Sequence, residues 1–482
     1  MERDHAVAPR TDALAGPEVE RGGATSRGAA RDGRPRPPDR STRRALARAL
    51  APAGGAAALG VPLLAACAPG APAPADEAPR PSGQPATLRF LGRGNQVILQ
   101  IQRRIADDFE KANPRLKVEL EPAADYLQKL LTELASGATS DVAFTAMGSL
   151  RVLAKRGALL ELDRYLARDF KKGDYYDYAI DSGKYRNKYY AFPYDGGTFA
   201  LAYNKDLLDK AQLAYPDDSW TWEKYVEAAA RLTVDAQGRR ASDGGFDPRQ
   251  IVQYGSATFR GDFWYWIWAN GGDILTADKT RSTLDSPVAL DTIQWMADLH
   301  TKQVIMPTPA FSDPNPTGFE SGRIALQPHG RWSVATYRQL GQFAWDVAPM
   351  PRGKSGRVGY GWFSGMSILQ GTKLAAEAWE FCKFCGTEPG QTVLAEFGQT
   401  VPPLPRVANS DLFLKSSPPA NNKAYLEAIA DVRLHPTAYI VESTDYNTIL
   451  NPALEQVWKG EQPAKSALPP LIPQLNEVLA RG

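Results

Sequence analysis

Lys188-Tyr189-Tyr190-Ala191-Phe192-Pro193-Tyr194-Asp195-Gly196-Gly197-Thr198-Phe199-Ala200-Leu201-Ala202-Tyr203-Asn204-Lys205-Asp206-Leu207 decides how this chain is organised. Lys188 to Tyr194 and Thr198 to Tyr203 are aromatic-rich and extended in pattern, which predicts a pair of strands. Pro193 and the Gly196-Gly197 pair fall at their junction. Proline offers no ladder donor and glycine accepts backbone angles closed to other residues, so the junction predicts a hinge.

On both sides of this stretch, strand patterns alternate with helical ones. Thr87 to Leu91 alternates like a strand and is closed by Gly92 and Gly94. Ile101, Ile105, Phe109 and Ala112 recur at helical spacing, and Asn113-Pro114 ends that helix. Leu116 to Leu120 predicts a strand, Tyr126 to Leu134 a helix, and Asp141 to Phe144 another strand. A further helix closes over Ala154 to Gly157, and Leu159 to Leu166 follows with its own cap. Downstream, Trp222 to Leu232 is helical, Asp235 to Pro248 a polar hairpin or loop, and Val288 to Lys302 a helix. Gly359 to Phe363 is a Gly/aromatic strand, and Ala375 to Phe384 a helix. Tyr425 to Ala430, Asn447 to Lys459 and Leu468 to Leu479 are mostly helical. Such alternation predicts an α/β chain built from βαβ units with a mainly parallel sheet.

The N-terminus carries different information. Thr42-Arg43-Arg44-Ala45-Leu46-Ala47-Arg48 precedes an uncharged run that ends in Leu64-Ala65-Ala66-Cys67. The run is interrupted by Pro52, Gly54, Gly55, Gly60 and Pro62, too broken for a membrane span of about 20 apolar residues. The order of features resembles a bacterial lipoprotein signal, with a twin-arginine-like export motif and Cys67 as the lipidated residue. On this reading residues 1–66 are a disordered extension plus signal, and 67–86 a Pro/Ala-rich tether holding an extracytoplasmic body to the membrane. Removing residues 1–66, which hold 11 Arg and 7 Asp or Glu, leaves 45 basic and 47 acidic residues of the 56 and 54 in the whole chain. A near-neutral mature protein is not built for nucleic acid.

Cysteine and histidine are sparse. Past Cys67 only Cys382 and Cys385 remain, at the end of a helical pattern, and only His300, His329 and His435. Zinc wants about four ligands, so no metal or cofactor is expected. The two cysteines read as helix-end residues that can be joined after export.

Five motifs in order resemble a known family. They are Tyr189 to Tyr194 with Ala202 to Leu207; Ser219-Trp220-Thr221-Trp222-Glu223-Lys224-Tyr225; Phe263 through Asp273; Phe319 through Leu326; and Gly330-Arg331-Trp332. Together they make the chain similar to extracellular solute-binding proteins of ABC importers, in the maltose-binding-protein-like group, over nearly all of 87–482. The resemblance implies a two-lobed, type II periplasmic-binding-protein-like α/β fold, each lobe a mainly parallel sheet flanked by helices, with a ligand cleft between them. It implies an N-lobe of 87–195 with 363–405 and a C-lobe of 196–362 with 406–482. The chain would cross between them near Pro193–Gly197, Val358–Phe363 and Thr400–Asn409. It also implies a monomer that captures a carbohydrate by lobe closure and hands it to the permease subunits.

A sugar site wants aromatic faces for C–H surfaces and planar polar groups for hydroxyls. The 11 tryptophans supply candidates. Trp264 and Trp268 share a helical face while Trp266 points away, so at least one of the three is core. Trp332 and Trp362 sit in loop-like and crossing contexts, and Tyr439 matches a late aromatic position of the family. Among polar residues the candidates are Arg93, Asp125, Ser149, Asp195 and Arg331. Arg260 and Asp262 precede the tryptophan segment and fix its entrance. Each has a structural alternative as cap, turn or surface ion pair. Arg93 and Arg331 would equally suit a phosphate, so glycerol phosphate or a glycerophosphodiester stands as a second ligand class. A secreted glycoside hydrolase is the alternative from another class, but no local motif marks the required carboxylate pair, and no catalytic residue is expected.

Overall fold

The computed structural model describes residues 84–123, 126–137, 140–257, 263–307 and 318–482, apart from the Lys172 side chain. The export motif, Cys67, most of the tether, Asp125, Arg260 and Asp262 lie outside the described residues.

The chain opens with β1 (Ala86–Gly92), α1 (Gln96–Ala112), β2 (Leu116–Pro122), α2 (Tyr126–Ser136), β3 (Val142–Ala146) and α3 (Met147–Lys155). Helix α1 starts where Asn95 accepts from the Ile98 amide (3.1 Å) and stops at Asn113, ahead of Pro114. Strand β1 pairs in parallel with β2 (Leu88 opposite Val118) and with β3 (Phe90 opposite Val142). This is the sheet that a βαβ pattern produces.

Next come β4 (Phe192–Asn204), α4 (Trp222–Leu232), β5 (Ile251–Ser256), α5 (Phe263–Ala269), α6 (Pro287–Thr301), β6 (Ile324–Gly330) and β7 (Trp345–Ala348). Then follow β8 (Gly359–Ile368), α7 (Ala375–Gly386), β9 (Val432–Leu434) and α8 (Ser443–Trp458). The main sheet runs β2-β1-β3-β8-β4-β6-β5, with β7 on β4 and β9 on β8. It is mixed: β8 lies antiparallel to both β3 and β4, β4 antiparallel to β6, and β5 parallel to β6.

Two details differ from the sequence reading. The expected strand pair around Gly196-Gly197 is one unbroken strand, β4. Both glycines stay in the ladder, opposite Phe363 and Trp362 of β8. What Pro193 produces is a register shift, because Asp195 faces Ser364 while Pro193 faces Gly365. Lys188–Tyr189 instead form a short hairpin with Lys184–Tyr185. The segment 159–166 is also not one helix: Leu159 bridges to Leu369, and the helix begins at Asp163.

Apolar side chains gather into two large clusters. One packs Phe90, Phe109, Phe192 and Phe144 against Trp379 and Phe381 of α7. The other packs α4, α5 and α6 with the C-terminal helices. Trp266 belongs to the second, its ring 5.3 Å from Trp222 and 5.4 Å from Trp295. Cys382 and Cys385 are free thiols, buried in the first cluster. Burial raises both thiol pKa values, so neither is a ready nucleophile.

Candidate functional site

A cavity of about 810 Å³ opens where β4 and β8 run side by side. Its floor is Asp195 and Gly196 of β4 with Trp362 and Ser364 of β8. One wall is the start of α1 with Arg93 and Asn95. Trp264, Trp332, Glu320 and His435 also line it, as do Asn447, Asn451, Glu455 and Trp458 of α8.

Local sequence explains several of these positions. At Gly196 a Cβ would run into Phe363 and the Trp362 carbonyl, so only glycine lets the two strands approach there. At Gly330 a Cβ would collide with the Trp332 indole, which lies flat across that backbone and meets Phe199 edge-on at 5.3 Å. Trp362 meets His435 edge-on at 4.2 Å. Asn95 caps α1 and also donates to Thr336 Oγ1 across the cavity (3.1 Å).

Electrostatics centre on Asp195. Its Oδ2 accepts from Gln399 Nε2 (2.9 Å), while buried Oδ1 has no protein partner. Desolvation pushes the carboxyl up to about 7, against the pull of Gln399, the Gly196 amide and Arg93. His435 is held neutral because burial lowers its pKa to about 3. The Thr437 amide donates to its Nδ1 (3.1 Å), so the ring proton sits on Nε2. Arg93 places its guanidinium 5.0 Å from the Tyr126 ring centroid.

The cavity brings together Arg93, Asp195, Trp264, Trp332 and Trp362 of the sequence candidates. The others sit elsewhere. Trp268 is buried, its indole N–H bound to Asp273 Oδ1 (3.0 Å). Ser149 is buried against the Tyr126 hydroxyl (2.5 Å). Tyr439 is 43% exposed, with the Lys279 ammonium 5.1 Å from its ring. Arg331 is fully buried; it donates to Asn422 Oδ1 (2.5 Å) and lies over the rings of Phe413 and Tyr425. Asp125 is not described.

A family model for bacterial extracellular solute-binding proteins matches residues 98–392. The chain belongs to that family. It is 23% identical over 382 residues to a putative binding protein of Brucella abortus, covering 77% of this chain and 88% of the relative. It is 23% identical over 298 residues to the maltotriose-binding protein of Pyrococcus abyssi, 60% of each chain. Among solved structures it is similar to an ABC substrate-binding protein of Listeria monocytogenes in complex with cycloalternan. That match has a TM-score of 0.73 and 22% identity, and covers 82% of this chain and all of the other. The fold is therefore the two-lobed α/β binding-protein fold.

For this family member, Glu320, Gln399, His435, Thr437 and the α8 residues are among the lining positions that the sequence did not reveal, with Asn95, Ser333, Thr336 and Ser364. Only α8 carried a readable signal, since Asn447, Asn451 and Glu455 share one helical face at four-residue spacing. Among the described residues no group of His, Cys, Asp and Glu is placed to hold a metal, and no helix is long and apolar enough to cross a membrane.

Proposed function

We propose that this protein is the substrate-binding component of an ABC importer and that it captures a carbohydrate in the cavity over β4 and β8. The observation that carries this reading is the composition of the lining. Four tryptophans, Trp264, Trp332, Trp362 and Trp458, line the same cavity as a carboxylate whose Oδ1 has no protein partner and several neutral amides and hydroxyls. Indole faces suit sugar C–H surfaces, and fixed acceptors suit hydroxyl groups.

Charge separates the two ligand classes. Of the two guanidiniums that a phosphodiester would use, Arg93 alone lines the cavity, and three carboxylates line it too: Asp195, Glu320 and Glu455. A neutral polyhydroxylated ligand is the better match. The N-lobe is assigned to 87–195 with 363–405 and the C-lobe to 196–362 with 406–482, in keeping with the two apolar clusters. Closure of these lobes would hand the ligand to the permease, with the body tethered by lipid on Cys67. Cys67→Ser is expected to move the protein from the membrane fraction to the soluble fraction.

A melting-temperature screen of protein lacking residues 1–67 tests the function. The panel is mono-, di- and oligosaccharides, polyols and glycerophosphodiesters. A ligand at 100 times its dissociation constant adds about 2.7 kcal/mol to stability. Silence from every saccharide beside a phosphodiester hit would overturn the carbohydrate assignment. Trp332→Ala is expected to weaken ligand binding more than tenfold while leaving the melting curve cooperative. An unchanged affinity would remove Trp332 from the site.

A further inference from the structure

We infer that His435 is a specificity-determining hydrogen-bond donor of the cavity: its Nε2–H meets an oxygen of the bound carbohydrate, and Thr437 is the positioning residue that fixes the proton there. This rests on the carbohydrate reading above and names one group that selects the ligand.

His435 precedes Pro436, whose fixed φ starts a short helical turn over Pro436–Ala438. The turn brings Thr437 back onto the imidazole. The Thr437 amide donates to Nδ1 at 3.1 Å, and the Thr437 hydroxyl lies 2.7 Å from the same nitrogen. A ring nitrogen that accepts from a backbone N–H carries no proton, so the neutral imidazole carries its proton on Nε2. Nδ1 is committed to the fold, and Nε2 is left as a donor.

The direction of that donor is held by three aromatic rings. Trp362 meets the imidazole edge-on at 4.2 Å and Trp264 at 6.0 Å, and Tyr360 stacks on it at 5.9 Å. The main-chain N–H of His435 is bound to the Gly361 carbonyl (3.1 Å). A group ordered in this way during folding loses little further freedom when a ligand arrives.

Nε2 has no partner among the described residues, and the ring lines the cavity. The other described histidines do not line it: His300 Nδ1 pairs with the Pro307 carbonyl (2.8 Å) and His329 Nε2 with the Tyr425 hydroxyl (2.9 Å). An N–H held among aromatic rings without an acceptor costs free energy until something supplies an oxygen. Two of those rings, Trp264 and Trp362, are themselves cavity residues. A pyranose stacked on either indole carries its oxygens at the ring edge, where a donor beside that indole can meet them. Such a donor selects by what it refuses. A ligand with hydrogen, methyl or ammonium in place of the oxygen leaves Nε2–H unpaired, and sites of this kind reject the analogue that lacks the partner.

Nuclear magnetic resonance of the 15N-labelled full chain tests the proton without any ligand. The chain has four histidines, and His435→Gln assigns the ring by its loss. At pH 7 the spectrum is expected to show a protonated Nε2 and a bare Nδ1. The other tautomer, or an imidazolium, overturns the inference and leaves the carbohydrate reading intact. Thr437→Val removes the hydroxyl and keeps the shape; it is expected to admit a detectable fraction of the other tautomer, and an unchanged spectrum strikes Thr437 from the inference. Isothermal titration with glucose, galactose, maltose, cellobiose and trehalose tests the contact. For a sugar that binds, His435→Phe is expected to lower affinity at least tenfold. His435→Gln places an amide donor where Nε2–H stood and is expected to recover most of that loss. His435→Asn reaches only the Nδ1 position and is expected to recover little. A Phe variant that binds like the parent, or Gln and Asn variants of equal affinity, reduces His435 to packing and overturns the inference alone; the Gln and Asn pair decides it even where the Phe variant does not fold. Absence of binding by every sugar overturns the inference together with the carbohydrate reading.

Discussion

Asp195→Asn is expected to bind ligand at least tenfold more weakly at pH 8 and, at the same pH, to melt at a higher temperature than the parent. Both effects have one cause. The parent carboxylate has a buried Oδ1 without a partner, and its pKa is pushed up to about 7 by desolvation. An unfolded aspartate titrates near 3.9. Below about pH 4 the group is neutral in both states and costs nothing. Between about pH 4 and 7 the unfolded chain gives up this proton while the folded chain keeps it. The folded state then binds more protons, so stability falls as pH rises, and the loss is complete above 7. Asparagine carries no charge and escapes this slope. The gain at pH 8 is on the order of 2 kcal/mol, moderated because the group faces an open cavity. The variant can keep the Gln399 hydrogen bond but offers a ligand hydroxyl no carboxylate. Melting curves from pH 4 to 8 should diverge between parent and variant up to about pH 7 and run parallel beyond it. Superimposed curves would put the carboxyl in water. Equal affinities would mean that ligand never meets Oδ1. A group that weakens the fold where it serves binding is the usual mark of a functional position.

Trp379→Ala is expected to cost about 3–5 kcal/mol, the range for removing a large buried aromatic side chain. Trp379 is fully buried, stacked on Tyr165 at 5.2 Å and edge-on to Phe192 at 5.4 Å. Its indole N–H donates to Asp169 Oδ2 (2.6 Å). The Arg168 guanidinium and then this indole hold the Asp169 carboxyl well below the usual carboxylate range. The alanine variant therefore opens a void and strips a partner from a carboxylate. Urea titration should show a lower midpoint with an unchanged slope. Trp379→Phe should recover most of the packing and lose only the hydrogen bond. A loss below about 1 kcal/mol for the alanine variant would contradict the burial.

Local pattern made the fold legible. Val118 and Phe109 announced their elements by spacing alone, and the structure begins and ends those elements close to the expected residues. The missed detail at β4 is instructive. Gly196 and Gly197 permit a turn but do not compel one, and the neighbouring strand β8 holds them extended. The site was less legible because its decisive partners are remote in sequence. Trp264 and Trp268 share a helix face, yet Asp273 claims the indole of Trp268 while Trp264 lines the cavity. Arg331 follows a glycine and precedes a cavity tryptophan, and nothing nearby in sequence reveals that Asn422, Phe413 and Tyr425 enclose it. Gln399 reaches Asp195 from the far side of the chain. Residue type predicted the chemistry, and tertiary contact decided which copies of it were used.

The first apolar cluster joins residues made early to residues made late. Phe90 and Phe109 pack on Phe381. On a ribosome adding about 5–20 residues per second, the early half of that core waits on the order of tens of seconds for its closing helix. During that wait β1, α1, β2 and β3 have emerged with their apolar faces uncovered. Non-local closure of this kind is slow. A chaperone that engages the nascent chain therefore meets a substrate that cannot complete its first core until α7 has been translated.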